Sequence, residues 1–238
     1  MKGIILLGIY SLFFVAARSQ DKMLVDPNAS VRILSGSFNR IKISNAFKVI
    51  ITQSETESIA VSASEEKYKE GIKTEIVNGT LKIYYDGNNN WNGKDRKLKA
   101  YVSFKNLSHL EVSGASDLAG VGKLTMEGLT INVSGASTVK ADFFVDNLEV
   151  KLSGASKASF SGESGMLDVE CSGATDFNAY DLKSIHCNAT ASGASDIDVF
   201  VEKELNASAS GASNIHYKGS PAVSSVKKSG ASSISKKD

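Results

Sequence analysis

Cysteine, proline and tryptophan are nearly absent from this chain: its 238 residues include 2 Cys, 2 Pro and 1 Trp. Two cysteines cannot form the framework of a disulfide-stapled scaffold. So little proline, with 42% of residues hydrophobic, excludes a disordered chain. An excess of one charge is also missing. The 27 Lys and Arg against 26 Asp and Glu give a formal net charge of +1, with no global basic field for nucleic acid. A mean hydropathy of -0.10 excludes a multi-span membrane protein.

The longest mainly apolar run, Ile4 to Ala17, is shorter than the roughly 20 residues of a comfortable bilayer span. Lys2 precedes it and Ala17-Arg18-Ser19 follows, with small residues where a signal peptidase reads. Residues 1–19 therefore read as a secretory signal, cleaved after Ser19. No cysteine lies nearby to carry a lipid anchor. Cleavage removes Lys2 and Arg18 and leaves one more acid than base. The expected destination is the periplasm, the cell surface or the medium, with no stable membrane span in the mature chain.

What is abundant is serine, at 35 residues, and glycine, at 20. Much of both belongs to one motif. Ser-Gly-Ala-Ser begins at Ser113, Ser134, Ser153, Ser192, Ser210 and Ser229, and a Ser-Gly-Ala-Thr variant begins at Ser172. The spacing is 18 to 21 residues, a period that signals a repeat architecture. Apolar residues stand one, three and five places before each motif, as in Leu148, Val150 and Leu152. Polar residues such as Glu149 and Lys151 stand between them. Period-two alternation marks a strand with one buried face. A second alternating stretch follows each motif, with Leu118, Val139, Ala158, Phe177, Ile197, Ile215 and Ile234 at its first inward position.

Each unit thus reads as strand, Ser-Gly-Ala-Ser corner, strand and return loop. One unit cannot bury its own apolar face, but stacked units bury a continuous core. The expected fold is all-β: a single-chain parallel β-helix or β-solenoid with strands about 4.8 Å apart and right-handed crossovers. Gly114, Gly135, Gly154, Gly173, Gly193, Gly211 and Gly230 are assigned as structural corner glycines, because a sharp bend needs backbone angles closed to other residues. The motif alanine is small enough to point into the narrow core edge. The serine hydroxyls are assigned to local backbone groups rather than to a ligand. In this register Cys171 and Cys187 face inward on adjacent coils about 13 Å apart, beyond the roughly 7 Å a disulfide allows. Two free buried thiols are expected.

Residues 20–30 form an extension, and residues 31–238 form one solenoid domain. Its coils are irregular over 31–104 and regular over 105–238. In the irregular part Val31 to Ile33, Ile41 to Ile43, Lys48 to Thr52 and Ile59 to Ala63 alternate. Residues 65–71 can form a short helix, and Asn78-Gly79 marks a hairpin. Residues 86–95 form a loop with Trp91 as a packing anchor. Lys227, Lys228, Lys236 and Lys237 guard the open edge at the far end.

No catalytic, cofactor or metal site is expected. His109, His186 and His216 have no partner at metal-ligand spacing, and Asp176 and Asp196 could at most share a cation. The Gly-x-Ser-x-Gly elbow of hydrolases needs a strand-to-helix turn that a solenoid lacks.

Several of these residues also carry a resemblance. Phe38 with Ile41 and Ile43, Val49 with Ile51, Leu81 with Ile83, the seven corners and Tyr217-Lys218-Gly219-Ser220-Pro221 are similar to bacterial exported proteins common in Bacteroidetes. That family is described as putative autotransporter adhesins with a head GIN domain. The resemblance implies a β-helical fold over nearly the whole mature chain and a non-enzymatic role in envelope or surface adhesion. The expected partner is an envelope or extracellular protein or a glycan, not nucleic acid, and self-association stays open. The alternatives are a carbohydrate-active enzyme on a pectin-lyase-like β-helix and a structural envelope protein.

Overall fold

The computed structural model describes residues 26–87 and 96–238; the signal segment and Trp91 lie outside them. From the amino end the elements are β1 (Ser30–Arg32), β2 (Arg40–Ile43), β3 (Lys48–Gln53), β4 (Ser58–Ser62), helix α1 (Glu66–Glu70), β5 (Ile72–Val77), β6 (Thr80–Tyr85), β7 (Lys99–Phe104) and β8 (His109–Val112). The repeat contributes five long strands: β9 (Asp117–Val133), β10 (Thr138–Leu152), β11 (Lys157–Cys171), β12 (Asp176–Ala191) and β13 (Asp196–Ala209). Three shorter strands close the chain: β14 (Asn214–Gly219), β15 (Ala222–Lys228) and β16 (Ser233–Lys236). Successive long strands pair in parallel, so the chain winds a β-solenoid of about seven turns.

The return loop between the two strands of a unit does not exist. Residues after one corner run as a single strand into the next, as β10 does over fifteen residues. The second bend is taken inside the ladder. Asp146 and Asn147 are both exposed between buried Val145 and Leu148, so the inward phase steps by one residue there. Pairing to β11 continues across the step, from Val145 on Ser164 to Asn147 on Met166. Bending within the ladder keeps backbone groups paired that a loop would release.

Inward residues stack in columns. Val133, Leu152, Cys171, Ala191 and Ala209 form one, and Leu118, Val139, Ala158, Phe177, Ile197 and Ile215 form another. The first column shrinks toward the carboxyl end where the second grows from Ala158 to Phe177 and Ile197. Such exchange keeps an interior filled at constant width. Phe143, Phe160 and Phe177 continue the filling edge-to-face, with centroids 5.0 and 5.6 Å apart, an arrangement that adds to plain burial. Both cysteines are free and buried, Cys171 between Leu152 and Ala191 and Cys187 between Leu167 and Leu205.

The amino-terminal coils are stacked out of chain order. β2 lies between β6 and β8, and β3 lies between β7 and β9. The coil made of β2 and β3 is first in sequence, but a later one made of β6 and β7 sits outside it. β5 then folds back antiparallel on β6 through Asn78 and Gly79, both at positive φ. β4 adds antiparallel to β7, and β1 adds antiparallel to β4. The apolar residues of β1 turn outward: Val31 is 79% exposed and Ile33 just beyond it 98%. β1 is an edge strand with no layer packed on that face, so its alternation marks a strand without marking a core.

Candidate functional site

Each corner turns on one residue at positive φ. The seven motif glycines lie at φ between 70° and 85°. A Cβ on Gly154 would stand 2.7 Å from the carbonyl oxygen of Gly135 one coil away. Stacked corners thus leave no room for a side chain on this column. The alanine points outward, contrary to its expected place at the core edge, because the left-handed turn at glycine rotates the next residue to solvent. The fourth residue turns in instead: Ser116, Ser137, Ser156, Thr175, Ser195 and Ser213 are all buried. Ser195 shows why a hydroxyl is needed there. Its Oγ donates to Ser192 O at 2.9 Å and Cys171 O at 3.4 Å, two carbonyls at the inside of the bend.

An eighth corner precedes these seven. Ser44-Asn45-Ala46-Phe47 makes the same turn, with Asn45 at φ 76° in the place of glycine. The next coil stacks on it as in every later corner. Ser113 N donates to Ile43 O at 2.9 Å, Ala115 N to Asn45 O at 2.7 Å and Asp117 N to Phe47 O at 2.8 Å. Asparagine tolerates this backbone region and brings a side chain. Asn45 Oδ1 accepts from the backbone N–H of Tyr85 at 3.0 Å, across to the end of β6.

On its other side this corner meets the end of β6 and the start of β7: Ser44 N donates to Ile83 O at 3.1 Å and Lys48 N to Leu98 O at 2.9 Å. A cleft of about 790 Å³ opens at this place. Ala46, Phe47, Tyr85, Leu98 and Ala115 supply its apolar wall, and Lys48, Arg96, Lys97, Lys99, Asn45 and Asp117 its polar groups. The Tyr85 ring is fixed on two sides. A Cβ on Gly71 or Gly87 would strike it, and the Arg96 guanidinium lies over its face, 4.5 Å from the centroid. Behind the cleft Asp26 accepts hydrogen bonds from Ser62 Oγ at 2.8 Å, Lys99 Nζ at 3.0 Å and Tyr101 Oη at 2.8 Å. These donors hold its carboxyl well below the usual carboxylate range. The bond to Asp26 raises the Lys99 ammonium in turn.

Other residues singled out by sequence are dispersed. His109 meets Asn132 at 3.2 Å, His186 lies 3.6 Å from Glu204, and His216 lies 3.1 Å from Asp198. Asp176 and Asp196 occupy adjacent rungs, but each has its own partner: Lys157 at 3.5 Å and Asn214 at 2.8 Å. Among the described residues no group of three or more His, Cys, Asp or Glu could hold a metal. Burial pushes the Cys171 thiol up to about 12 and raises that of Cys187 as well. Among the described residues the exposed large apolar side chains are spread over separate elements: Val31 and Ile33 at the amino end, Val77 on β5, Val121 on β9, Phe144 on β10, and Val223 and Val226 on β15. The sides of the stack are polar ladders instead.

The sequence analysis named Gly114 as a corner glycine and Lys48 at the start of a strand, but did not bring them together in a cleft. Its signal was the eighth corner: Ile41 and Ile43 before Ser44, Ala46 two residues on, and Val49 at the first inward position beyond. A motif that demands glycine second and serine fourth passes over it.

Comparison with known proteins agrees with this architecture. A putative adhesin from Bacteroides fragilis has 21% identity and a TM-score of 0.82, over 89% of this chain and 98% of its own. Putative adhesins from Parabacteroides merdae and Parabacteroides distasonis have TM-scores of 0.67 and 0.66 at 19% identity. The first match covers 90% of this chain and 98% of that one, the second 88% and 97%. At such identities the likeness shows the fold alone. No curated protein sequence matches the chain. Among the described residues no helix is long and apolar enough to cross a membrane. The family model for the "putative auto-transporter adhesin, head GIN domain" matches residues 37–221, from just before β2 to the start of β15, and the chain belongs to that family.

Proposed function

We propose that the mature chain is an exported, non-enzymatic β-solenoid that mediates adhesion or another contact at the cell envelope or surface, with a glycan or a protein as its ligand. One observation carries this reading: the outward side chains of neighbouring coils are tied to one another. Asn188 Nδ2 donates to Asp168 Oδ1 and Asn206 Nδ2 to Asn188 Oδ1 at 3.1 Å, along one column. Thr130 Oγ1 donates to Glu149 Oε2 at 3.3 Å further along the same column. Groups locked in this way hold their remaining donors and acceptors at the strand spacing of about 4.8 Å. A partner then meets a surface ordered in advance, which lowers the cost of binding. Family membership and the signal-like amino end support an exported location.

Purified residues 20–238 on a glycan array, together with a binding assay on intact cells, test this reading. Binding above background in either assay supports it, and blanks in both reject it. Product release from a panel of polysaccharides would favour the enzymatic alternative instead.

A further inference from the structure

At the far end of the stack the last coil is bonded on one side only. At every earlier corner three carbonyls accept from the coil that follows. Ala209 O takes Ser229 N at 3.0 Å, Gly211 O takes Ala231 N at 2.8 Å and Ser213 O takes Ser233 N at 3.0 Å. Lys228, Gly230 and Ser232 hold the same three places in the last coil. Among the described residues nothing donates to the carbonyls of Gly230 and Ser232. The interior is open here as well. Val223 and Val226 stand on buried Leu205 and Ala207, yet are themselves 42% and 47% exposed. The inward columns then finish on charge, with Lys228 paired to Ala209 and Lys236 to Tyr217. With Lys227 and Lys237 they make four lysines against one acid, Asp238, in residues 222–238. Among the described residues none of the four is ion-paired.

We propose that this end binds an extended acidic segment of another protein, which adds to the last coil as one more parallel rung. The segment's N–H groups donate to the carbonyls of Lys228, Gly230 and Ser232. Its apolar residues cover Val223 and Val226, and its carboxylates meet Lys228 and Lys236. This assignment rests on the reading of a surface-contact protein and names the partner's chemistry and its place. Strand addition of this kind draws affinity from main-chain bonds and specificity from alternate side chains. The open carbonyls repeat a register that the chain itself fills at seven corners, so a polypeptide fits where a glycan has no matching row of donors. The lysines then choose among polypeptides. A second copy docking by its own last coil would set lysine against lysine, and inward charge on an edge is one way natural sheets block such pairing. The same ammonium groups give a carboxylate charge-assisted bonds, which are the strong kind.

Calorimetric titration of residues 20–238 with a synthetic peptide tests the assignment. The peptide copies residues 222–236 with Lys228→Glu and Lys236→Glu. It is compared with the unaltered sequence, with a scrambled order of the glutamate sequence and with heparin. The glutamate peptide is expected to bind at least about tenfold more tightly than each of the other three, and to weaken as salt rises. Methylating its backbone nitrogens at places 229, 231 and 233, which face the open carbonyls, should weaken it at least about tenfold. In the protein, Lys228→Glu should weaken the glutamate peptide about tenfold and strengthen the unaltered one. Lys228 is exposed, so the exchange leaves the core intact. The assignment is overturned if the scrambled peptide or heparin binds as tightly, if methylation or Lys228→Glu changes nothing, or if the glutamate peptide does not bind. A dimer of residues 20–238 that Lys228→Glu dissolves would also overturn it, in favour of a second copy. Binding to intact cells separates the two readings. Adhesion that persists when the glutamate peptide fails to bind removes the edge assignment alone. Tight peptide binding without adhesion removes the adhesive reading and keeps the edge.

Discussion

The regular coils and the amino-terminal coils solve the same turning problem with different residues. From Gly114 onward each corner uses glycine, and the carbonyl of the coil before closes the space a side chain would need. At Asn45 the neighbour on the outer side is the end of β6, and a side chain both fits and finds a partner in the Tyr85 N–H. The contrast teaches that glycine on this column answers to its neighbour as much as to its own backbone angle. Repetition enforces a small residue, and the end of the repetition releases the position for another use.

The largest effect should come from placing a side chain inside the repetition. Gly154→Ala puts a Cβ 2.7 Å from Gly135 O at φ 73°, and is expected to cost about 2–4 kcal/mol. A fall in the chemical denaturation midpoint measures it. Asp26→Asn breaks a carboxylate that three side chains hold at the other end of the molecule. It should cost about 1–3 kcal/mol, with faster amide exchange in β1, β4 and β7. The carboxyl titrates well below 3.8 when folded. Its contribution is therefore complete above that value and lost as pH falls below it. Wild type should lose its advantage over the variant in that acid window, as paired unfolding curves at pH 6 and pH 3 would show.

A smaller loss, about 1 kcal/mol, is expected for Ser195→Ala, which strips the hydroxyl from two corner carbonyls. Asn45→Gly should cost less than about 1 kcal/mol, since glycine suits the turn and only the bond to Tyr85 is lost. Amide exchange at Tyr85 should quicken while that at Ala155 does not. If Asn45→Gly proves as harmful as Gly154→Ala, the contrast between the two regions collapses. The smallest effect concerns the thiols. With Cys171 near 12, neither cysteine should react with an aromatic disulfide reagent at pH 8 in the folded protein, and both should react in denaturant.

How much of this was legible follows from the same contrast. The columns through Leu152, Cys171, Ala191 and Ala209 could be drawn from spacing, because strict alternation and a constant period convert directly into inward neighbours. The outward alanine could not, since a hydrophobic label says nothing about a residue that follows a left-handed turn. Val31 and Ile33 alternate as core residues do yet face solvent, because alternation reports a strand and not what covers it. The cleft draws on separate stretches around Asn45, at Tyr85, at Arg96 to Leu98 and around Gly114. Their meeting depends on a coil order that no local pattern encodes.

That order has a consequence for how the molecule is made. Within the repeat a new coil finds its partner about twenty residues back, as Ser192 finds Cys171, so turns can be laid down one after another at little loop-closure cost. The coil of β2 and β3 is bonded on one side only after β6 and β7 exist, and on the other when Ser113 reaches back seventy residues to Ile43. Contacts of such range form slowly. A chain released amino end first must hold its earliest strands open until residue 113 is free. The stack then starts with one delayed, cooperative closure and grows afterwards by quick addition, so the amino-terminal coils set the time at which folding begins.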